Sequence, residues 1–185
     1  MNLKENLYFI ALIPQREVRE EITTFKNDFA NRFKSKKALK VYPHITLKAP
    51  FKFPEDSHAN VINWFDNLKI SHRPFNVNLK NFDAFHNKHN PVVFINPVIT
   101  EELIKIQREI LVDFKKLFPG NVHPVDLNFK PHVTIAYRDL EPEQFSKAWS
   151  EYKDKKYSAV FKVNGFYLLQ HDKKKWNLIS TYSLS

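Results

Sequence analysis

The sequence predicts an α+β fold built from two copies of one unit related by a pseudo-twofold axis. Three observations predict it. The order strand–helix–strand–helix–strand is read twice along 185 residues, three short segments match between the halves in the same order, and each match lies close to 86 residues from its partner. Phe9-Ile10 matches Phe94-Ile95, and Pro43-His44-Ile45-Thr46-Leu47 matches Pro131-His132-Val133-Thr134-Ile135. Phe75-Asn76-Val77-Asn78 matches Phe161-Lys162-Val163-Asn164. A chain of this length fits a single domain, 1–185, made of two duplicated lobes at about 1–88 and 89–185.

In the first half, the apolar run at 7–13 reads as a strand. Val18, Ile22, Phe25, Phe29 and Phe33 then recur at helical spacing. A basic loop, Lys34-Ser35-Lys36-Lys37, leads to a strand at 42–48 that Pro50 and Pro54 are expected to end. Asp56 or Ser57 can cap a second helix with Val61, Ile62, Trp64, Phe65 and Leu68 on its buried side. A longer strand covers 75–85.

The second half repeats the order. Residues 92–98 read as a strand, and Thr100 is placed to cap a helix whose first turn carries Glu101 and Glu102. Leu103, Ile106, Ile110, Phe114 and Leu117 form its buried stripe, and Pro119-Gly120 stops it. A strand at 130–137 follows, then a short helix with Pro142 at its first position and Phe145, Ala148 and Trp149 on one side. Strands at 159–170 and 176–182 close the chain, joined by a polar turn at 171–174.

Composition narrows the function classes. Cysteine is absent, which excludes disulfides, a thiolate zinc site and a cysteine nucleophile. Only two glycines are present, so neither a P-loop nor a Rossmann phosphate loop can be built. The 7–13 run is too short for a signal core, no segment approaches the roughly 20 apolar residues of a membrane span, and a cytoplasmic protein with no membrane partner is expected. The formal net charge of +9 favours an anionic partner such as RNA, DNA or a nucleotide.

The chemistry sits in the His-x-Thr motifs. Side chains two apart on a strand share a face, which sets His44 with Thr46 and His132 with Thr134, the aliphatic residues between them turning to the core. A pseudo-twofold axis brings the two pairs together across a cleft. Opening a cyclic phosphate needs one group to take a proton from water and another to protonate the leaving oxygen, and two imidazoles can do both near neutral pH. Threonine hydroxyls can hold the non-bridging oxygens. No step requires a metal or another cofactor.

The motifs PHITL and PHVTI inside a duplicated α/β frame resemble those of the two-histidine (2H) phosphoesterase superfamily, whose best-known branch is the RNA 2′,3′-cyclic phosphodiesterase, also called 2′-5′ RNA ligase. The resemblance spans nearly the whole chain. It implies antiparallel β-sheets around a central groove with helices outside, His44 and His132 as the catalytic pair, and Thr46 and Thr134 as the phosphate holders. The substrate class it implies is an RNA terminus or small nucleotide carrying a cyclic phosphate or a 2′,5′ linkage. Tyr137 stands between Ala136 and Arg138, where many relatives set a basic residue directly after the small one.

Strand parity adds Tyr42 and Lys48 beside the first pair, and Lys130 and Arg138 beside the second, as candidate substrate-binding residues. His86 and His89, flanking Lys88, are expected in a surface loop, His58, His72 and His171 facing solvent, and His123 in the loop before the second motif. The competing readings are a non-catalytic nucleotide- or RNA-binding module using the same groove, and a hydrolase in which His44 and His132 ligate a metal. A monomer is expected.

Overall fold

The computed structural model describes residues 4–185. Strand β1 (Glu5–Leu12) is followed by α1 (Arg16–Arg32), β2 (Ile45–Pro54), α2 (His58–Asp66) and β3 (Phe75–Phe85). The second half runs β4 (Val92–Pro97), α3 (Glu101–Leu117), the short α4 (Pro124–Leu127), β5 (Val133–Ala136), α5 (Pro142–Tyr152), β6 (Ser158–Val163), β7 (Gly165–His171) and β8 (Trp176–Ser183). They form two four-stranded antiparallel sheets, in the orders β2-β1-β7-β8 and β5-β4-β3-β6. Among the described residues no helix is long and apolar enough to cross a membrane.

The pseudo-twofold axis can be located from register. In the ladder between β3 and β6, Asn76 pairs with Lys162, its own repeat equivalent 86 residues on, and Phe75 and Val77 pair with Val163 and Phe161. Only a ladder crossed by the axis pairs equivalents with each other in this way. The exchange extends to the helices: α1 packs on β5 while its counterpart α3 packs on β2.

The halves 1–88 and 89–185 therefore mark the sequence repeat but not the sheets. β3 of the first half joins the second sheet, and β7 and β8 of the second half complete the first. The expected single strand at 159–170 is in fact two, parted at Asn164, because the chain crosses there from one sheet to the other. Gly165 marks the crossing: a Cβ at this position would lie 2.1 Å from the carbonyl oxygen of Tyr182, so only glycine fits.

One buried cluster takes Tyr8, Ile10 and Leu12 from β1, Val93 and Ile95 from β4, and the stripes of α1 and α3. The other face of β1 carries Phe9 and Ala11 into a small separate cluster with Leu169. β1 is thus covered on both sides, which is why its sequence is a continuous apolar run.

Some local expectations hold and others differ. The strands expected at 42–48 and 130–137 begin only at Ile45 and Val133, and Ser57 precedes α2 without a side-chain capping hydrogen bond. Thr100 caps α3 by accepting a hydrogen bond from the Leu103 amide at 3.3 Å. At the other end of α3, Leu117 is 61 % exposed and Phe118 takes its place in the core at 8 %, because both are helically spaced from Phe114 and the helix ends between them. Strand β2 runs through Pro50 to Pro54 instead of ending before them. It is an edge strand, and Pro50 sits at an irregularity where no ladder donor is required.

Candidate active site

Each His-x-Thr motif enters its strand from an extended Pro-His step, His44 and His132 standing one residue before β2 and β5. The two imidazoles are oriented alike, though Phe85 also packs edge-on against His132, with centroids 5.2 Å apart. His44 Nδ1 lies 2.6 Å from the carbonyl oxygen of Tyr42, and His132 Nδ1 lies 2.7 Å from that of Lys130. A carbonyl can only accept, so Nδ1 carries the proton in both rings and Nε2 is the nitrogen left for chemistry. A phenylalanine from the neighbouring strand packs on each ring: Phe9 on His44, with centroids 4.9 Å apart, and its repeat equivalent Phe94 on His132 at 5.3 Å.

His44, Thr46, His132 and Thr134 line one cavity of about 210 Å³, completed by Phe9, Ala38, Val41, Pro50, Tyr137, Arg138 and Trp176. Both histidines are half-buried in this partly apolar setting. Burial pushes the His44 imidazole down to about 4; the hydrogen bond to the Tyr42 carbonyl pulls the other way, and Lys26 and His132 add to the downward push. Burial lowers His132 as well, with the Lys130 carbonyl pulling the other way. At neutral pH both rings of the free protein therefore present a lone pair at Nε2.

The loop before the first motif is tied at both ends. Asp139, just past the second motif, accepts from the Ser35 hydroxyl at 2.9 Å and from the amides of Lys36 and Lys37 at 2.9 and 3.0 Å. Lys26 of α1 donates to the carbonyls of Ala38 and Val41 at 3.0 and 2.9 Å. The two motifs are joined a second time through a buried ion pair. Lys48 Nζ lies 3.0 Å from Asp126 Oδ2, and Asp126 also accepts from the amides of Ala49 and His123 at 2.8 Å each.

That pair corrects the expectation for Lys48, whose side chain is fully buried and absent from the cavity lining. Between β1 and β2 the register slips twice: Ala11 faces Thr46, Ile10 faces Lys48, and Tyr8 faces Phe51. Each slip inserts one extra residue in β2 and breaks the alternation that would have set Lys48 beside Thr46.

Of the four candidate substrate-binding residues, Arg138 alone lines the cavity. It does so from a left-handed turn, φ 60°, after β5 has ended, and the same turn brings in Tyr137, which alternation had placed on the far face. Tyr42 and Lys130 serve through their carbonyls. The Tyr42 ring is exposed with the Arg19 guanidinium 5.3 Å above it, and the Lys130 side chain is exposed.

Sequence reasoning missed Phe9, Phe94 and Trp176. The first two carried a usable signal, as they are the matched aromatics of the repeat with a histidine one strand away. Elsewhere, His72 is buried rather than solvent-facing, 3.4 Å from Glu109, and His58 shares a 2.8 Å hydrogen bond with the Tyr8 hydroxyl. His86 packs edge-on against Phe145 and Trp149. Among the described residues no group of three or more His, Asp or Glu side chains is placed to hold a metal ion.

Comparison with known proteins gives the same outline. The model of the 2′-5′ RNA ligase superfamily matches residues 14–175. A Bacillus licheniformis protein named "putative phosphoesterase" is 26 % identical over 179 residues, covering 96 % of this chain and 98 % of its own. The structure of E. coli LigT complexed with 3′-AMP superposes with a TM-score of 0.70 at 15 % identity, covering 98 % of this chain and 99 % of that one. TT0787 of Thermus thermophilus superposes at 0.67 with 18 % identity, covering 96 % and 97 %. At these identities the two structures speak to the fold alone.

Proposed function

Because the chain belongs to the 2′-5′ RNA ligase superfamily, we propose that it is a metal-independent phosphodiesterase that opens cyclic phosphates or cleaves 2′,5′ linkages at RNA ends or in nucleotides. One observation carries the reading. The same device is built twice and aimed at one cavity: a histidine oriented through Nδ1 by the carbonyl two residues back, a phenylalanine against its ring, and a threonine two residues on.

In the hydrolytic direction, Nε2 of one neutral imidazole takes a proton from water as the water oxygen bonds to phosphorus. The bond from phosphorus to one ribose oxygen breaks, and that oxygen takes the proton held on Nε2 of the other, protonated imidazole. The product is a phosphomonoester, and the pair is reset by proton exchange with solvent. The Thr46 and Thr134 hydroxyls donate to the non-bridging oxygens, where charge is carried through the transition state, and Arg138 adds a fixed cation at the cavity edge. With a 5′-hydroxyl attacking the cyclic phosphate in place of water, the same step breaks the bond from phosphorus to the 3′ oxygen, which takes the proton, and leaves a 2′,5′ linkage; that is the reverse of 2′,5′ cleavage.

Since both rings are neutral in the free protein near pH 7, one must gain a proton before it can act as the acid. The phosphate supplies the cause: a negative charge between two imidazoles raises both. LigT, which shares this fold, has been crystallised with 3′-AMP, and that supports a nucleotide as the ligand here.

The test is incubation in strong chelator with an RNA oligonucleotide ending in a 2′,3′-cyclic phosphate. Conversion to a phosphomonoester end is expected. A cyclic end that persists while the oligonucleotide binds would favour the non-catalytic module, and turnover that returns only on adding a divalent metal would overturn the metal-independent mechanism.

A further inference from the structure

Beside the histidine cavity lies a larger one of about 580 Å³, and Val41 and Trp176 form part of the wall of both. Its charged lining is of one sign. Lys26, Lys40 and Lys175 are the charged residues of its lining, Thr23 and Asn177 are neutral polar ones, and no acidic residue takes part.

Lys26 is the unusual member. It is only 2 % exposed, yet it enters none of the ion pairs among the described residues. Its two hydrogen bonds go to the Ala38 and Val41 carbonyls, which leaves one of the three N–H donors of an ammonium unassigned. Burial without a counter-charge pushes it down to about 7. Contrast Lys48, equally buried and matched by Asp126 at 3.0 Å. The fold supplies a carboxylate to one buried lysine and withholds it from the other, which borders a cavity flanked by two exposed lysines. A bound anion there would provide the missing charge.

We propose that this second cavity is a subsite for a further phosphate of the substrate, held by Lys26, Lys40 and Lys175, while the reacting phosphodiester occupies the histidine cavity. The proposal rests on the reaction assigned above. The further phosphate is either a terminal monoester on the same nucleotide or the next phosphodiester of an oligonucleotide, and Trp176, shared by both cavities, is the surface for the sugar or base between them.

Binding separates this inference from the reaction, because it needs no turnover. Calorimetry would compare adenosine 3′-phosphate, adenosine 3′,5′-bisphosphate and a diadenosine oligonucleotide with a 3′-phosphate. At low salt, at least one two-phosphate ligand is expected to bind about tenfold more tightly than the monophosphate, an advantage that shrinks as salt is raised. Preference for the bisphosphate would identify the monoester, and preference for the dinucleotide the diester. K40Q/K175Q, at two exposed positions, and K26M should each erase most of that advantage. Equal affinity for all three ligands, or an advantage that survives in K40Q/K175Q, would overturn the subsite whether or not the protein turns over cyclic phosphates.

Discussion

Replacing His44 or His132 by alanine is expected to lower turnover of a cyclic phosphate by about 10²–10⁴-fold. The cavity holds no substitute. Apart from the threonines, its other lining residues are Phe9, Ala38, Val41, Pro50, Tyr137, Arg138 and Trp176, and none of these side chains both gives and takes a proton near neutral pH. If the two imidazoles serve one concerted transfer, as proposed, the double variant should lose little more than either single one. The cost in stability should be small, because each ring is half-buried at the start of its strand. Kinetics on parent, single and double variants, together with binding of 3′-AMP, check this. Loss of binding in proportion to loss of rate would mean that the histidines hold substrate without moving protons.

Removing Asp126 should have the largest effect on stability. Asp126→Ala leaves the Lys48 ammonium fully buried without its counter-charge and strips an acceptor from the amides of Ala49 and His123. Breaking a buried pair on one side costs about 3–5 kcal/mol, a large share of the roughly 5–15 kcal/mol that stabilises a domain. Replacing both partners by apolar residues, as in K48M/D126L, should cost much less.

The pH dependence adds a second signature. Burial already lowers Lys48, and Asp126 is what pulls it back up. Without Asp126 the folded-state pKa falls further below that of the unfolded chain. The unfolded state then binds more protons, so the variant should regain stability as pH rises towards the ordinary lysine value. Urea unfolding at several pH values measures both effects. A loss under about 1 kcal/mol in Asp126→Ala would show that the pair does not hold the two motifs together.

Features carried by local pattern were legible in the sequence. The span of β3, the Thr100 cap and the buried stripe of α3 as far as Phe114 all follow from periodicity and capping chemistry. The repeat offset foretold more than it was asked to, since Asn76 and Lys162 are equivalents in sequence and partners in space.

What stayed hidden depends on contacts between distant elements. Across 159–170 the only sign of the sheet change at Asn164 is Gly165, which by itself does not say that the chain changes sheets. Only the close approach of Gly165 to the Tyr182 carbonyl explains it. The two slips in β2 hid the inward turn of Lys48 for the same reason, because alternation assumes an unbroken ladder. Trp176 reaches the cavity from the last strand, far from either motif. Asp126 lies in a four-residue helix whose sequence signs are a proline at its first position and Asp126 itself at its third.

The central claim is that His44 and His132 act as a base–acid pair, and the pH dependence of kcat/KM tests it most directly. In the proposed mechanism the working state of the free protein has one imidazole neutral and one protonated. Burial lowers both, His44 to about 4, so this state is most populated on the acid side of the ordinary imidazole value of about 6.5. It is depleted below as the base is protonated and above as the acid loses its proton. The expected kcat/KM profile in chelator is therefore a bell with its maximum below pH 6.5, while the kcat profile is displaced to higher pH because bound phosphate raises both rings. A profile with a single limb, or one that alanine at either histidine leaves unchanged in shape and height, would contradict the paired mechanism.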